Sequence, residues 1–281
     1  MPRIPSPALA HIRACAAIVF AMLQRNPNMP KKNHSPTGWD AVADWYHGWV
    51  GEHGSDHHRK LAIPAILDLL QLKPGEKLLD IGCGSGVLST YVQQYQADYI
   101  GVDVSQRLIA IARKQHQGQF IVADARRLKS HSSIEPAAYD ACAFLLSIQD
   151  MNPLADVIHN ATYALRPGGR VALLMTHPCF RIPRLSGWGY DEGRKLQFRR
   201  VDRYLTPQCV PMKSYGRKQS GNTISFHRPL SEYVTALSEA GLVIDALREI
   251  TTYKQDNDKA RRLADQEIPL FLGLGARKLG S

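Results

Sequence analysis

Leu78-Leu79-Asp80-Ile81-Gly82-Cys83-Gly84-Ser85-Gly86 is the stretch from which the fold of this chain is read. A short apolar run ends in three glycines, and a helical pattern starts at Val87. Glycine tolerates left-handed backbone and lets the main chain approach a ligand with no Cβ in the way. The helix that follows offers free N–H groups to a polar or anionic group. Working outward, apolar strands at Lys77–Ile81, Tyr99–Val102, Phe120–Val122, Tyr139–Leu145 and Arg170–Thr176 alternate with helical stretches at Val87–Gln96, Gln106–Gln117 and Pro153–Leu165. Ser105 is placed to cap the second of these helices, and Arg166-Pro167-Gly168-Gly169 stops the third. This alternation predicts an α/β domain, a doubly wound parallel sheet with helices on both faces, and puts the glycine turn at the carboxyl edge of the strands, where ligands bind.

The glycine spacing does not suit a dinucleotide. That fingerprint is G-x-G-x-x-G, whereas here the third glycine comes one residue early, at Gly86, and Val follows it. Three acids mark the same edge. Asp80 precedes the turn, Asp103 ends the second strand, and Asp124 ends the third. A carboxylate at Asp103 can accept from both hydroxyls of a ribose and would repel a 2′-phosphate. One at Asp124 can accept from an adenine amino group.

On these residues the chain resembles the class I S-adenosylmethionine-dependent methyltransferases, over about residues 39–278. Asp80, Gly82, Gly84 and Gly86 match that family's D-x-G-x-G-x-G loop, Asp103 its ribose-binding acid, Asp124 its adenine-contacting acid, and Leu165-Arg166-Pro167-Gly168-Gly169 its L-x-P-G-G turn. The resemblance implies a seven-stranded Rossmann-like sheet whose closing strands, Val243–Ile250 and Ile268–Lys278, are the family's antiparallel pair, with the last strand antiparallel. It implies S-adenosyl-L-methionine as cofactor. Backbone of Gly82, Cys83 and Gly84 would hold its amino-acid end with Asp80. Val104 and Ala125 would flank its base, and Leu146 and Ser147 its methionine side. Gln149 would join them at the mouth of the acceptor pocket.

Trp39, Val42, Tyr46 and Trp49 recur at helical spacing ahead of the core. Two readings stand for this helix: a face packed into the core, or a lid that brings Tyr46 to the cofactor and Trp45 to the acceptor. His47, His53, His57 and His58 match no recognised metal spacing and read as a solvated or helix-start group, with no metal expected. His177, at the end of the fifth strand, is either a general base for the acceptor or a structural hydrogen-bonding residue. Asp150 either orients an amine or, the favoured reading, caps the helix that begins at Pro153.

Residues 180–227 interrupt the alternation. They read as an irregular insert, rich in aromatics that include Trp188 and in arginines that include Arg181, Arg184, Arg199, Arg200 and Arg203. We read the insert as a substrate-recognition segment over the acceptor site. The arginines suit a carboxylate or phosphate on a small molecule, or contact with nucleic acid. The whole chain has 281 residues and a formal charge of +10, but ten of its Lys/Arg against three Asp/Glu lie in this insert. Residues 1–39 add five more Lys/Arg and no acid, so the rest of the chain is slightly acidic. Residues 1–38 form a basic extension, either disordered or, through residues 1–28, targeting to an organelle. Hydrophobic content of 44% excludes wholesale disorder. No apolar run has the ~18 residues of a membrane span. Five scattered cysteines make no disulfide framework, which points to a reducing, cytoplasmic setting.

The expectation is a methyltransferase domain over 39–281 that moves a methyl group to an O or N atom of a small molecule. An RNA-directed enzyme using the basic insert and a non-catalytic cofactor-binding partner subunit are the alternatives. The sequence does not give the oligomeric state.

Overall fold

The computed structural model describes residues 38–213 and 222–280. The expectations for residues 1–28, and for nearly all of the 1–38 extension, lie outside them. The elements are α1 (Trp39–Val50), α2 (Ile63–Leu70), β1 (Lys77–Ile81), α3 (Val87–Val92), β2 (Asp98–Asp103), α4 (Gln106–Gln115), β3 (Gln119–Val122), β4 (Tyr139–Leu145), α5 (Leu154–Ala164), β5 (Leu165–Thr176), β6 (Ser186–Asp191), β7 (Leu196–Val201), β8 (Gln208–Lys213), β9 (Asn222–His227), α6 (Leu230–Glu239), β10 (Leu242–Ile250), α7 (Lys259–Glu267) and β11 (Phe271–Lys278).

Seven strands form one sheet in the order β10-β11-β5-β4-β1-β2-β3. The β4-β1, β1-β2, β2-β3 and β4-β5 pairs are parallel, and β11 is antiparallel to both β5 and β10. Strand order reverses between β1 and β4. Their connections leave to opposite sides and open a crevice at the carboxyl edge, directly beside the glycine turn.

Side-chain alternation along the strands feeds two cores. One face sets Leu79, Ile81, Val102, Phe144 and Leu173 against Val157, Ile158 and Ala161 of α5 and Leu237 of α6. The other sets Leu78, Ala141, Ala143 and Leu174 against Ile63, Ile66 and Leu70 of α2 and Ile109 of α4. Asp80 falls on the second face, only 1% exposed, in a place where an aliphatic residue would serve packing better. The Ser105 cap forms as the sequence predicts, its Oγ accepting from the Leu108 N–H at 3.1 Å; such caps contribute about 1 kcal/mol.

The sheet is tied to α2 through Arg170, which is 7% exposed. Its guanidinium donates to Leu70 O and Gln71 O, two carbonyls at the end of α2, and to both carboxylate oxygens of Glu76. A buried cation is thereby matched by acceptors that would themselves be orphaned.

The insert departs from expectation. It is not irregular but contains two antiparallel ribbons, β6-β7 and β8-β9. The first lies on α7; the second lies against α1 and the turn after β4. A π-turn at His58–Ala62 runs directly into α2, whose second residue is Pro64.

Candidate active site

The glycine turn bends tightly because Gly82, Gly84 and Gly86 all have positive φ, at 76°, 56° and 85°. A Cβ at Gly82 would stand 2.6 Å from both Ser147 Cβ and Met151 Cε, so the turn is pressed against the segment that follows β4. That segment is itself held by a sharp bend. Leu146 carries φ 54°, an uncommon left-handed conformation for a leucine, and Ser147 Oγ donates to Ile81 O at 2.7 Å. The 3₁₀ turn Ile148–Asp150 follows.

A pocket opens here. Tyr46, His58, Asp80, Gly82, Cys83, Ser85 and Leu145 are among its lining residues. Asp80 Oδ2 accepts from the Tyr99 hydroxyl at 2.6 Å, while its Oδ1 is buried without a partner, as is Ser85 Oγ. Burial pushes the Asp80 carboxyl up to about 7, against the pull of Tyr99's hydrogen bond and with a further push from Asp103. A carboxyl in that state is short of a cation or donor. Buried polar groups left bare cost about 1–3 kcal/mol each, so an orphan pair beside a glycine turn suits a ligand with an ammonium group.

Asp103 sits at the end of β2. Its oxygens accept from Gly84 N and Ser105 N, each at 2.9 Å, which locks the acid to the glycine turn. Burial raises its pKa, partly offset by those N–H donors. A carboxylate has about four acceptor sites, so capacity remains for a hydroxyl. Asp124 is differently placed. It caps the 3₁₀ turn Ala125–Ser130 through Arg126 N, and both its oxygens grip the Arg126 guanidinium at 2.6–3.0 Å. Burial would lift its pKa, but Arg126 outweighs that and holds it below the ordinary carboxylate range. An adenine amino group would have to share this carboxylate with Arg126. Val104 and Ala125 are half-buried beside these acids.

The N-terminal helix α1 packs one face inward and lies beside the glycine turn. Asp40 accepts from Ser105 Oγ at 2.5 Å and Arg107 N at 3.2 Å, Asp44 pairs with Arg107, and His47 meets Gln115 at 3.0 Å. These contacts clamp α1 on α4, immediately after Asp103. The buried face is Val42, Ala43 and Val50; Trp49, expected on it, is exposed. Tyr46 lies over the turn, its Cε1 3.5 Å from where a Gly84 Cβ would be. Burial and the fields of Asp103, Asp150 and Asp80 push its hydroxyl pKa up, so it stays protonated. Trp45 is half-buried on the same helix.

Other expectations are corrected. His177 does not face the pocket as a free base. It is 2% exposed; its Nδ1 accepts from Cys179 N at 3.2 Å and its Nε2 meets Glu249 at 3.0 Å. Both ring nitrogens are spent on fixing the entry to the insert, and burial lowers its pKa despite Glu249. Asp150 is not a helix cap: α5 begins after Pro153 with no side-chain cap. Asp150 is half-buried, and desolvation raises its pKa to about 7 against the opposing influence of Ser225 and Arg228. Gln149 Nε2 donates to Leu146 O at 2.6 Å, leaving Oε1 buried and unpartnered.

Arg181 and Trp188 are not among the pocket's lining residues. Arg181 donates to Pro269 O at 3.2 Å, and it and Arg199 stack on Trp188 at 5.1 and 5.2 Å. Burial and then Arg199 bring the Arg181 pKa down to about 10. Of the other arginines, Arg199 donates to Phe180 O, Arg184 to Pro211 O, and Arg200 pairs with Asp202. His58, read with its neighbours as solvated or at a helix start, instead lines the pocket, is 5% exposed and has its pKa lowered to about 4 by burial. Ser85, not singled out from the sequence, also lines the pocket, and its place inside the glycine motif was the signal for it.

With this geometry in view, the chain matches the family described as methyltransferase domain over residues 79–173. Among curated proteins, a ubiquinone biosynthesis O-methyltransferase of Xylella fastidiosa is 28% identical over 145 residues, 50% of this chain and 59% of that protein. The chain thus spans about three-fifths of the length of the first curated relatives it matches. An O-methyltransferase of Pyrenophora dematioidea is 24% identical, covering 64% of this chain and 77% of that one. A solved S-adenosylmethionine-dependent methyltransferase from Mesorhizobium loti superposes with a TM-score of 0.64 at 24% identity, over 81% of this chain and all of that one.

Proposed function

We propose that this chain, whose domain match and fold support the class I S-adenosylmethionine-dependent methyltransferase superfamily, uses S-adenosyl-L-methionine to methylate an oxygen or nitrogen of a small-molecule acceptor. The observation that carries the reading is the pair of orphaned buried acceptors, Asp80 Oδ1 and Ser85 Oγ, in the pocket formed by the glycine turn and Tyr46. They fit the charged amino-acid end of that cofactor.

When bound, the cofactor supplies a methyl group already attached to a good leaving group, a positively charged sulfur. The chain's work is therefore alignment and exclusion of water, worth up to about 7–11 kcal/mol in favourable cases. Asp80 would offset the ammonium charge, and Asp103 would accept from the ribose with its remaining acceptor capacity. The backbone of Gly82, Cys83 and Gly84 allows close approach, and Gly86 opens the helix behind it. Val104, Asp124 and Ala125 border the base, with Arg126 sharing Asp124. Leu146 and Ser147 form the wall after β4, and Tyr46 with Trp45 covers the site. Residues 39–281 act as one methyltransferase domain, with 180–227 as its substrate-recognition insert. The described free cysteines Cys83, Cys142, Cys179 and Cys209 suit a reducing, cytoplasmic setting. Among the described residues no helix is long and apolar enough to cross a membrane.

Internal engagement of Arg181, Arg184, Arg199 and Arg200 weakens both the nucleic-acid reading and an anion-recognition role for the insert. The test is to measure S-adenosylhomocysteine binding by calorimetry, then supply methyl-labelled cofactor with separate metabolite, RNA and protein pools. Label in a metabolite is expected. Label only in RNA or protein overturns the acceptor class; no binding overturns the whole reading.

A further inference from the structure

The polar side chains lining the pocket beside the glycine turn are of two kinds. Asp80 supplies an acceptor, its orphaned Oδ1. Ser85 and His58 can donate, Ser85 through its hydroxyl and His58 through whichever ring nitrogen carries the proton. Ser85 is 1% exposed and its Oγ has no partner, so a hydroxyl proton is buried there with nothing to receive it. The pocket's lining holds no lysine or arginine. Arg59, next to His58, is exposed and paired with Asp56. Unspent buried donors beside an unspent acceptor call for a ligand that carries both signs of charge close together.

His58 is held at this pocket by the loop before it. Gly51 N closes α1 by donating to His47 O at 2.7 Å, the Tyr91 hydroxyl of α3 donates to His53 O at 2.9 Å, and Arg59 Nη1 donates to Gly54 O at 3.0 Å. Gly54 has φ +86°, and a Cβ there would stand 2.7 Å from His58 Cβ, so the loop lies this close to the histidine only with glycine at that place. The His58 ring is fixed by Ser55, whose Oγ is 2.9 Å from Nδ1. Among the described residues Nε2 has no hydrogen-bond partner. Burial, and then the field of His57, lower the His58 pKa to about 4, so the ring is neutral and has one N–H. With Ser55 Oγ donating to Nδ1, that N–H is on Nε2.

Resting on the methyltransferase reading above, we propose that His58 Nε2 and Ser85 Oγ are the donors that hold the carboxylate of the cofactor's amino-acid end, with Ser55 as the positioning residue that sets the His58 tautomer. Asp80 takes the ammonium, so the two charges of the ligand are read by different side chains. Tyr46, the other hydroxyl in the lining, sits in the combined fields of Asp103, Asp150 and Asp80, which disfavour an anion beside it. Neutral donors also leave no uncompensated buried cation in the pocket before the ligand enters. The consequence is specificity: a nucleoside thioether that keeps the ammonium and lacks the carboxylate leaves both donors unmet.

Calorimetry on the whole chain compares S-adenosylhomocysteine with its decarboxylated analogue, S-adenosyl-thiopropylamine. The native chain is expected to prefer S-adenosylhomocysteine by about 100-fold or more, two hydrogen bonds to a charged group at about tenfold each. His58→Ala and Ser85→Ala should each weaken S-adenosylhomocysteine by about tenfold or more while changing the analogue by less than about threefold. His58→Gln, whose amide N–H reaches the place of Nε2, should restore most of the loss. Ser85→Ala removes a group with no partner in the free protein, so it decides alone should His58→Ala not fold. In ¹⁵N-histidine spectra of the free chain, assigned with His58→Gln, His58 is expected as the neutral Nε2–H tautomer; Ser55→Ala should abolish that preference and Ser55→Thr keep it. Equal losses for both ligands, unchanged S-adenosylhomocysteine affinity in the His58 and Ser85 variants, or an Nδ1–H tautomer in the native chain overturns the proposal. If the native chain binds both ligands equally, the proposal falls and the cofactor reading stands. If it binds no S-adenosylhomocysteine, both fall.

Discussion

Gly82→Ala and Gly84→Ala should fail in different ways, and the difference is calculable. At Gly82 the new Cβ stands 2.6 Å from Ser147 Cβ and from Met151 Cε, with φ at +76°. Left-handed backbone costs an alanine about 1–2 kcal/mol, and overpacking a close-packed site adds about 1–3 kcal/mol. Alanine's smaller unfolded-state entropy returns about 0.4–1 kcal/mol. The net loss is about 1–4.6 kcal/mol, or a Tm drop of roughly 2–18 °C for a domain of this size. At Gly84 the nearest atom to a Cβ is Tyr46 Cε1, at an ordinary 3.5 Å. Only the backbone term remains there, and the net loss is about 0–1.5 kcal/mol. That methyl, however, enters the gap between Tyr46 and the turn, where the proposed ligand would lie. Urea unfolding without ligand and calorimetry with S-adenosylhomocysteine separate the two effects. Gly82→Ala should be the less stable protein, and Gly84→Ala a near-native fold with affinity reduced about tenfold or more, a loss of at least about 1.4 kcal/mol. Native affinity in Gly84→Ala, or equal stability of the two variants, would refute the assignment of ligand space to this side of the turn.

Further predictions concern the acids and His177. Asp103→Ala should weaken S-adenosylhomocysteine binding by about 1.5–3 kcal/mol, the worth of hydrogen bonds to a charged group; unchanged affinity in calorimetry removes the ribose role. Because Asp80 titrates near 7 and an ammonium prefers its ionised form, affinity should fall as pH drops through that value. A flat calorimetric profile there counts against Asp80 as the ammonium partner. For Glu76, burial acts upward but Arg170's hydrogen bonds outweigh it, so its pKa is lowered on folding. Its stabilisation is then full above the unfolded-state value and lost as pH falls through the lower folded one. Urea unfolding across the acid range should show that loss. Glu76→Gln should lack the acid dependence and lose about 3–5 kcal/mol, as expected when a buried ion pair is broken. His177→Ala should cost about 1–3 kcal/mol of stability through its lost partners and leave turnover within a few-fold. A collapse of rate at native stability would restore His177 as a base.

The sheet was legible in the sequence because its signals are local. Leu78 to Gly86 places a strand, a bend and a helix start within nine residues, and the alternation from Lys77 to Thr176 fixes a parallel arrangement. The acids Asp80 and Asp103 were legible for the same reason, each lying at or next to the end of its own strand. Asp124 was legible as a position, but its partner Arg126, two residues on, was not weighed. The insert was opaque. Ser186–Asp191 and Leu196–Val201 alternate like strands, yet their glycines and arginines read equally well as loop. Nothing local tells a ribbon which neighbour it will cover.

The sequence by itself therefore determined the doubly wound sheet, the glycine turn and the acids at its rim. Backbone preference and hydrophobic period act over a few residues and need no distant partner. Only the tertiary structure decided that β8-β9 packs on α1 and on the turn after β4, and that His177 is held by Glu249. Each of those outcomes joins residues 72 or more positions apart. Such pairings are chosen by burial and electrostatics after the chain has closed on itself, so no short window of sequence contains them.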